Sequence, residues 1–590
     1  MVLVTLQSRS ENMETKENCL SAQLKLDEAC VTLASELDSA NLWLYTLSAD
    51  CVACPYTKTA KLEKYEPFDL TVNTARSQSW RVIESFGNET YIPASNRDGL
   101  HCQLAPSLGE HGIYEFTARA NESCELRVIK EPDNPYIPLG IGLGLLVLLL
   151  TSLALLKFIR GCIDKCRSRA AANEDELEVG KKTANRRVRS LDTVRGMSIL
   201  LMIFVNNGAA GYALLEHATW NGLLVGDLVF PCFMWIMGVC IPLSISAQLS
   251  RGSSRLRICR AIVKRSVYLF AIGLALNTLG GRNQLERIRI FGVLQRFGLA
   301  YLVAGIVYAL AARPDDKQSK RTLGDVVALI PQWIVALLIL AAHCAVVFLL
   351  PVPGCPRGYL GPGGRHADGK YWNCSGGATG YVDKVLLGVD HIYQLPTANS
   401  VYGSGPFDPE GVLGSLTSIF QVFLGIQAGQ ILRTHGSWKA RLVRWLLWAV
   451  LLGAVGAALH YTNVVPVNKN LWYDSCRVYN LIAPYLIREN LRRSVSFVLV
   501  TTCFSLGLLS LCYLLIDVLG VWDGGPFRVP GMNALVMYAG HQILYDMFPF
   551  HWRYGPMNSH TWLLAESLWC VGLWTFVAYA MHRKKLYVAL

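Results

Sequence analysis

The sequence predicts a polytopic α-helical membrane protein with about 11 transmembrane helices and a small N-terminal, lumenal β-rich domain. The 590 residues are 52% hydrophobic and only 17% charged, whereas soluble domains carry about 25% charged residues. The mean hydropathy is +0.31, and long apolar runs recur from residue 137 onward. Residues 1–135, by contrast, have the composition of an ordinary soluble domain.

The N-terminal domain, residues 1–135, is predicted to be β-rich because apolar and polar residues alternate along short stretches such as Ile113-Tyr114-Glu115-Phe116. It contains two glycosylation sequons, at Asn88 and Asn121, and an even number of cysteines: Cys19, Cys30, Cys51, Cys54, Cys102 and Cys124. Together they indicate an oxidising, glycosylating lumen. The Cys51-x-x-Cys54 pair could form half of a zinc site, but no second pair with zinc spacing follows. We therefore favour disulfides over metal.

The first residues contain no apolar segment of signal-peptide length. Either the first hydrophobic helix exports the N-terminal domain, or the sequence lacks its true start. We expect the second.

The apolar runs predict both the number of helices and their orientation. The predicted spans are 137–156, 194–215, 223–246, 263–280, 290–312, 326–350, 412–432, 442–460, 494–516, 529–548 and 562–582. With the N-terminal domain in the lumen, an odd number of spans leaves the C-terminus in the cytosol. The basic clusters then fall on the cytosolic side, as the positive-inside rule requires. The sequon at Asn373, in the loop 351–411 with Cys355 and Cys374, falls on the lumenal side, and these two cysteines are predicted to pair.

Three regions follow from this topology: a lumenal domain (1–135), a first transmembrane helix with a basic cytosolic loop (136–192), and a domain of ten transmembrane helices (193–590). The net charge of +12 comes from short clusters between apolar runs, with no basic stripe interleaved with aromatic residues. Nucleic acid is therefore not an expected partner. The lipid bilayer is one, and the sequence leaves a homo-oligomer open.

Polar residues at membrane depth are costly, so they are candidates for function. Asn206, His217 and Asp227 follow one another around the turn between the second and third predicted helices. An imidazole with a carboxamide and a carboxylate nearby suits general base catalysis on a polarised electrophile. The alternative is that His217 is an interfacial loop histidine and Asp227 a residue that begins a helix. A lone His541 in the tenth span is more typical of a packed, hydrogen-bonded histidine.

A second group of residues is a candidate for binding a polyanionic cofactor. Arg195 lies at the cytosolic edge of the second span, and Arg257 and Lys264 lie near the start of the fourth. Arginine and lysine are suited to phosphate groups, although solvated positive-inside residues are the alternative. Gln295 and Arg296, at the start of the fifth span, either line a polar cavity or brace helices through buried hydrogen bonds.

Several longer motifs resemble the heparan-alpha-glucosaminide N-acetyltransferases, lysosomal membrane enzymes related to bacterial membrane acyltransferases. They are LDTVRG, HATWNGLLVGDLVFP, GVLQRFGLAY, PVPGCPRGYLGPGG, FDPEGVLGSL, FLGIQAG, PVNKNLW and PGMNALVMYAGH. The resemblance runs from about residue 20 to the C-terminus. It implies transfer of acetyl from cytosolic acetyl-CoA to the terminal non-reducing glucosamine amine of heparan sulfate in the lysosomal lumen, with no metal. It also implies that residues 193–590 form the acyltransferase domain.

The resemblance places the family's active-site histidine at His217 and its partner asparagine at Asn206, and Asp227 and the Gln295-Arg296 pair also match family motifs. The glycine run that usually follows the asparagine is Gly208-Ala209-Ala210-Gly211 here, and residues 473–493 are additional. We expect His217 to be partly buried, because desolvation favours the neutral imidazole that a base requires in an acidic lumen. A covalent acetyl-histidine intermediate is the alternative. The competing functions are a membrane O-acyltransferase for another sugar and a transporter.

Overall fold

The computed structural model describes residue 19 and the ranges 23–171, 187–280, 282–312, 323–461 and 496–588, apart from positions 38, 40, 65, 86, 88 and 120–122. Several features of the sequence analysis lie outside the described residues. They are the first 18 residues, most of the basic loop after the first span, the PVNKNLW motif, the additional residues 473–493, and the sequon asparagines Asn88 and Asn121.

The described residues before the first helix form two β-sheets. The strands are β1 (Glu28–Ser35), β2 (Leu42–Ser48), β3 (Tyr56–Leu62), β4 (Phe68–Asn73), β5 (Gln78–Glu84), β6 (Tyr91–Ile92), β7 (Leu100–Leu104), β8 (Ile113–Ala118) and β9 (Cys124–Lys130). The strand orders are β4-β1-β8-β9 and β6-β3-β2-β5-β7, and β1 pairs with β8 in parallel.

The alternating pattern of these strands places every second side chain in one shared core. Val31, Leu44 and Phe116 are fully buried there. The Trp80 and Phe116 rings, one from each sheet, meet edge to face with their centroids 5.7 Å apart, a geometry that aromatic pairs favour. The prediction of a β-rich N-terminal region is therefore confirmed.

Four disulfides are formed among the described cysteines. Three lie in the N-terminal region, Cys19–Cys30, Cys51–Cys54 and Cys102–Cys124, and Cys355–Cys374 closes part of the loop 351–411. The prediction of disulfides in both regions is confirmed. The Cys51-x-x-Cys54 sulfurs are bonded to each other.

The rest of the described chain is helical. The helices are α1 (Tyr136–Ala171), α2 (Arg189–Asn206), α3 (Val225–Ser250), α4 (Arg255–Asn277), α5 (Val293–Ala311), α6 (Gly324–Val327), α7 (Ile330–Leu349), α8 (Gly377–Leu387), α9 (Thr397–Tyr402), α10 (Val412–Thr434), α11 (Trp438–Tyr461), α12 (Ser496–Cys512), α13 (Arg528–Met532), α14 (Ala534–Ile543) and α15 (His560–Arg583). A π-helix continues α12 over Tyr513–Val518.

Within the described ranges, eight helices are long and apolar enough to cross a membrane: α1, α3, α5, α7, α10, α11, α12 with its π-helical continuation, and α15. The chain is therefore a polytopic helical membrane protein. The other predicted spans coincide with α2, with α4, and with α13 and α14 together. Charged residues such as Asp192 and Arg195 lower the hydropathy of α2, yet its Ile199 and Ile203 are fully buried.

The bundle is centred on α10, which is buried along most of its length. It packs closely on α3 at glycines: a Cβ atom at Gly238 would overlap the carbonyl of Val422, and one at Gly425 would overlap the carbonyl of Trp235. Small residues let helix backbones approach in membranes, where packing drives association. The outermost helix, α1, exposes its leucines, as expected of a lipid-facing segment.

The N-terminal domain rests on one end of the bundle, which we call the domain end. Asp50 makes two of the contacts: its carboxylate accepts a 2.6 Å hydrogen bond from the Thr219 hydroxyl, and its carbonyl accepts one of 2.8 Å from the Tyr402 hydroxyl. The backbone N–H of Ala367 donates to the carbonyl of Ala53. The loop 351–411 and the α2–α3 connection therefore lie at the domain end.

A buried histidine at the start of α15 makes a further contact with the N-terminal domain. His560 Nε2 lies 3.2 Å from Asp27 Oδ1 and 3.6 Å from Glu110 Oε2, and Nδ1 lies 3.0 Å from the carbonyl of Ala210. A doubly protonated ring donates one hydrogen bond to Asp27 and one to the carbonyl of Ala210, and its positive charge also faces Glu110. Burial raises the pKa of the Glu110 carboxyl, although the charge of His560 opposes this shift.

We expect His560→Ala to weaken the docking of the N-terminal domain by about 1–3 kcal/mol, because it leaves buried acceptors without their donor. Hydrogen exchange should accelerate around residues 23–28 and 209–212 and remain unchanged in α10. His582→Ala, at the opposite end of α15, is the matched control and should leave exchange at the domain end unaltered. Unchanged exchange in the His560 variant would contradict this role.

Candidate active site

The α2–α3 connection begins with an unusual backbone. After α2 ends at Asn206, Gly208, Ala209 and Ala210 have φ values of 87°, 50° and 56°. Ala209 and Ala210 adopt the left-handed conformation that costs a non-glycine residue about 1–2 kcal/mol. This left-handed turn leaves Asn206 at the end of α2.

Asp227 organises the other end of this connection. Its carboxylate is fully buried in the first turn of α3, where the positive end of the helix dipole favours an anion. Oδ2 accepts hydrogen bonds from the backbone N–H groups of Ala218, at 3.1 Å, and Leu224, at 3.0 Å. Oδ1 lies 3.0 Å from Nδ1 of His217. Because a carboxylate accepts, Nδ1 carries the proton, and Nε2 is the basic nitrogen of the neutral ring.

Fourteen residues, all among those described, line a cavity that opens to solvent and has about 640 Å³ of empty space, part of it open solvent: Met202, Val205, Asn206, His217, Gly226, Asp227, Val229, Phe230, Pro231, Val293, Pro409, Glu410, Phe497 and Tyr538. The structure thus brings together Asn206, His217 and Asp227. The His217 side chain is 34% exposed, so the ring is partly buried and accessible. A few polar groups in a largely apolar cavity are typical of a ligand site.

His541 holds the side chain of Asn206. Asn206 Nδ2 lies 2.9 Å from His541 Nε2, while His541 Nδ1 donates to the carbonyl of Met537 at 3.0 Å. Nε2 is therefore the acceptor, and the nitrogen of the Asn206 amide points toward it. His541 is buried and hydrogen-bonded, as its sequence context indicates, and it orients a residue of the cavity.

A charged cluster adjoins the cavity between α5 and α10. Arg289 donates to both oxygens of Asp408, at 2.9 and 2.6 Å, and to Glu410 Oε2 at 2.7 Å. Burial lowers the pKa of Arg289, but the two carboxylates outweigh it and the net shift is upward. The cluster therefore holds a permanent cation between two anions. The sequence did not predict this cluster of Arg289, Asp408 and Glu410, although Glu410 lies in the FDPEGVLGSL motif.

The remaining candidates lie outside the cavity lining. Arg296 is fully buried and donates to the carbonyl of Pro409 at 2.8 Å. Gln295 is also fully buried, and its amide has no hydrogen-bond partner among the described residues. Arg195 Nη1 lies 3.4 Å from the carbonyl of Gly531, and Nη2 lies 3.0 Å from Cys240 Sγ. Arg257 and Lys264 are on the exposed face of α4.

Gly226 leaves room for the imidazole. A Cβ atom there would lie 2.7 Å from the carbonyl oxygen of Glu216 and 3.0 Å from His217 Nδ1. We expect Gly226→Ala to displace the His217 ring from Asp227 and to lower activity at least tenfold. Thermal unfolding should change little, because the neighbouring loop can shift. Gly507→Ala, where a Cβ atom meets nothing within 4 Å, is the control, and equal activity in both variants would contradict the prediction.

Asp383 in α8 should make stability depend on pH. Its Oδ1 accepts the backbone N–H of Val412 at 2.8 Å, and burial, followed by the charge of Asp408, raises its pKa from 3.8 to about 7. Because the folded-state pKa is the higher one, the stabilisation is complete below about pH 4 and is lost as the pH rises through about 7.

The prediction is that the melting temperature falls between pH 5 and pH 8 and that Asp383→Asn makes this fall smaller. Asparagine cannot ionise, so the variant should gain relative to the unmodified protein at pH 8. Thermal unfolding of both proteins in one detergent, at several pH values, measures the difference. Parallel curves would rule out Asp383 as the titrating group.

Known proteins are similar in sequence to this chain over nearly its whole length. Residues 187–343 match the family model described as heparan-alpha-glucosaminide N-acetyltransferase, catalytic, and all eight candidate residues fall in this stretch. The mouse heparan-alpha-glucosaminide N-acetyltransferase is 33% identical over 620 residues, which cover 98% of this chain and 90% of the mouse protein. The human heparan-alpha-glucosaminide N-acetyltransferase is 34% identical over 614 residues, covering 96% and 88%.

Similarity of this extent, together with the helical bundle and its partly buried imidazole–carboxylate pair, defines the chain as a membrane acetyltransferase. More narrowly, the chain belongs to the heparan-alpha-glucosaminide N-acetyltransferase family.

Proposed function

We propose that this enzyme transfers acetyl from cytosolic acetyl-CoA, across the lysosomal membrane, to the terminal non-reducing glucosamine amine of heparan sulfate. The observation that carries the proposal is the His217–Asp227 pair, which presents a basic imidazole nitrogen in a cavity, in a chain of this family. The names of the relatives indicate the acceptor, and an acetyltransferase requires an acyl donor such as acetyl-CoA. No metal is part of the proposal.

The proposal includes the orientation of the chain. Eleven spans, with the three domains bounded at residues 135 and 192, put the domain end in the lumen and the C-terminus in the cytosol. The positions of the disulfides support this orientation. The disulfides of the described chain lie in the N-terminal region and the loop 351–411, and both regions are at the domain end. Disulfides are typical of a lumenal, oxidising compartment.

The two substrates meet from opposite sides in this scheme. Arg195 and Asn206 lie on α2, eleven residues apart, which corresponds to about 16 Å along a helix. Arg195, together with Arg257 and Lys264, is proposed to hold the phosphates of coenzyme A at the cytosolic end. The long pantetheine arm would carry the thioester toward Asn206. Gln295 and Arg296, beside the cavity wall at Pro409, are proposed to support the thioester end of the bound cofactor.

The chemistry follows from the geometry of the pair. The neutral amine attacks the thioester carbonyl, and His217 Nε2 takes an amine proton as the N–C bond forms. Asp227 stabilises the resulting imidazolium through Nδ1, and Asn206 orients the carbonyl as its oxygen gains charge. The C–S bond then breaks, and the departing thiolate takes the proton to become free coenzyme A. In the alternative scheme His217 is acetylated first.

We expect His217→Ala to lower acetyl transfer from acetyl-CoA to glucosamine by at least 10²-fold, the usual contribution of a general base. Asp227→Asn should lower the kcat with little change in the KM for acetyl-CoA, because the ring loses its orientation while the cofactor site remains. Both purified variants should keep the melting temperature within a few degrees of the unmodified protein. His582→Ala, far from the cavity, is the control.

The results of these experiments distinguish direct transfer, with His217 as the base, from transfer through an acetylated His217. Activity that survives in a folded His217→Ala protein would assign the proton transfer to another group. An acetyl group trapped on His217, with ping-pong kinetics, would favour the covalent scheme, whereas a required ternary complex would favour direct transfer. Binding of acetyl-CoA without transfer to any amino sugar would overturn the proposed acceptor.

A further inference from the structure

We propose that Arg365, Trp372 and Tyr91 form a binding site for the acidic sugar chain that follows the terminal glucosamine of the acceptor. We call these three residues the sugar platform. The inference rests on the proposed function and deepens it, because it assigns residues outside the cavity to the rest of the substrate. Tyr91 belongs to the N-terminal domain, in β6, and the other two residues belong to the loop 351–411. The platform therefore gives the N-terminal domain a part in acceptor binding.

The guanidinium of Arg365 is a cation without an anionic partner in the described part of the chain. Its Nε atom is buried and has no hydrogen-bond partner there. No ion pair joins the guanidinium to a described carboxylate, including that of the exposed Asp368 three positions further on. The residue as a whole is half-buried, so a ligand can reach it from the solvent. Arginine binds sulfate and carboxylate groups through paired N–H donors, so an anion is the partner that this side chain lacks.

Two partly exposed aromatic rings accompany the guanidinium. The Arg365 Cζ atom lies 5.6 Å from the centre of the Tyr91 ring, within the range of a cation–π contact. Tyr91 is 38% exposed and Trp372 is 45% exposed, so both rings are accessible from the solvent. Tyrosine and tryptophan combine an apolar ring with a polar tip, and an apolar ring can cover the C–H groups of a sugar. A cation beside two such rings suits a sugar that carries an acidic group.

Gly403 places Arg365 and Trp372 side by side. A Cβ atom at Gly403 would lie 3.8 Å from the Trp372 Cη2 atom and 3.9 Å from the Arg365 Nε atom. Both side chains therefore reach the same residue and are neighbours on the surface. Gly403 has a φ of 64° and follows the last residue of α9, a position where the left-handed conformation favours glycine.

A short series of direct contacts connects the sugar platform to the loop that carries His217. The backbone N–H of Arg365 donates to the carbonyl of Tyr402 at 2.8 Å, and the Tyr402 hydroxyl donates to the carbonyl of Asp50 at 2.8 Å. The Asp50 carboxylate accepts from Thr219 at 2.6 Å, two positions after His217. The terminal glucosamine can therefore occupy the cavity while the following sugars extend along the seam between the N-terminal domain and the bundle.

The test compares a short and a long acceptor of the purified full chain: glucosamine, and a heparan-derived hexasaccharide with glucosamine at its non-reducing end. We expect Arg365→Gln to raise the KM for the hexasaccharide by about fivefold or more, because a charge-assisted hydrogen bond is lost. The KM for glucosamine, the KM for acetyl-CoA and the kcat should stay within about twofold, because the cavity is unchanged. Trp372→Ala should act in the same direction, since it removes an aromatic ring.

Two variants in the same loop are the matched controls. Lys370→Gln removes an equal charge from an exposed residue, and Asn373→Gln removes the sequon beside Trp372. Both should leave the KM for the hexasaccharide unchanged. The same rise in Lys370→Gln would reduce the effect to a general attraction of polyanions, and a lower KM in Asn373→Gln would assign the Trp372 ring to the protein's own glycan. Either result would overturn the inference.

An unchanged KM for the hexasaccharide in Arg365→Gln would also overturn it. If that variant does not fold, competition with glucosamine in the unmodified enzyme decides. A hexasaccharide whose terminal amine is already acetylated should inhibit about fivefold more strongly than the same molecule without its sulfate and carboxylate groups, and equal inhibition would refute the sugar platform. Failure of the proposed function is distinct, because the unmodified enzyme would then acetylate neither glucosamine nor the hexasaccharide.

Discussion

The carboxylate of Asp227 is the constraint on which the site depends. It is buried at the start of α3, and burial of an anion is tolerated only when its lone pairs are satisfied. Two backbone N–H groups, from Ala218 and Leu224, and the Nδ1–H of His217 satisfy it. The same three bonds close the loop over the helix start and fix which imidazole nitrogen faces the cavity. The helix start, the loop and the imidazole nitrogen that faces the cavity are thus set by one group.

The packing of the helices fixes the position of Asp227 relative to the cavity residues on other helices. The close packing of α3 on α10 requires glycine at Gly238 and Gly425, where a side chain would overlap the opposite backbone. Because α10 begins just after Glu410, the same contact sets the distance between the His217 side of the cavity and the Arg289 cluster. The N-terminal domain covers this end through Asp50 and the buried His560. The candidate site and the surface on which the N-terminal domain docks therefore lie at the same end of the bundle.

The sequence was most informative where the candidate site residues are close along the chain. His217 and Asp227 are ten residues apart, and Asn206 ends the preceding helix, so helix–turn–helix periodicity alone brings them to one side of the membrane. Composition and periodicity also predicted the membrane class and the β-rich domain. Helix α2 shows the limit of hydropathy as a predictor of membrane-spanning helices. Its charged residues Asp192 and Arg195 lower its hydropathy, but they are accommodated inside the protein and not in lipid. The orientation of the domains and the roles of individual residues remain proposals.

What the sequence alone determined is therefore the class of protein, the disulfide-bearing regions and the local group around His217, since these follow from composition, cysteine pairing and short-range spacing. The tertiary structure decided which distant residues complete the cavity. His541 is 335 positions from the Asn206 side chain that it holds, and Glu410 reaches the cavity only because α10 packs on α3. Such contacts depend on how helices pack, and packing between helices that are all apolar leaves no periodic signal in a single sequence.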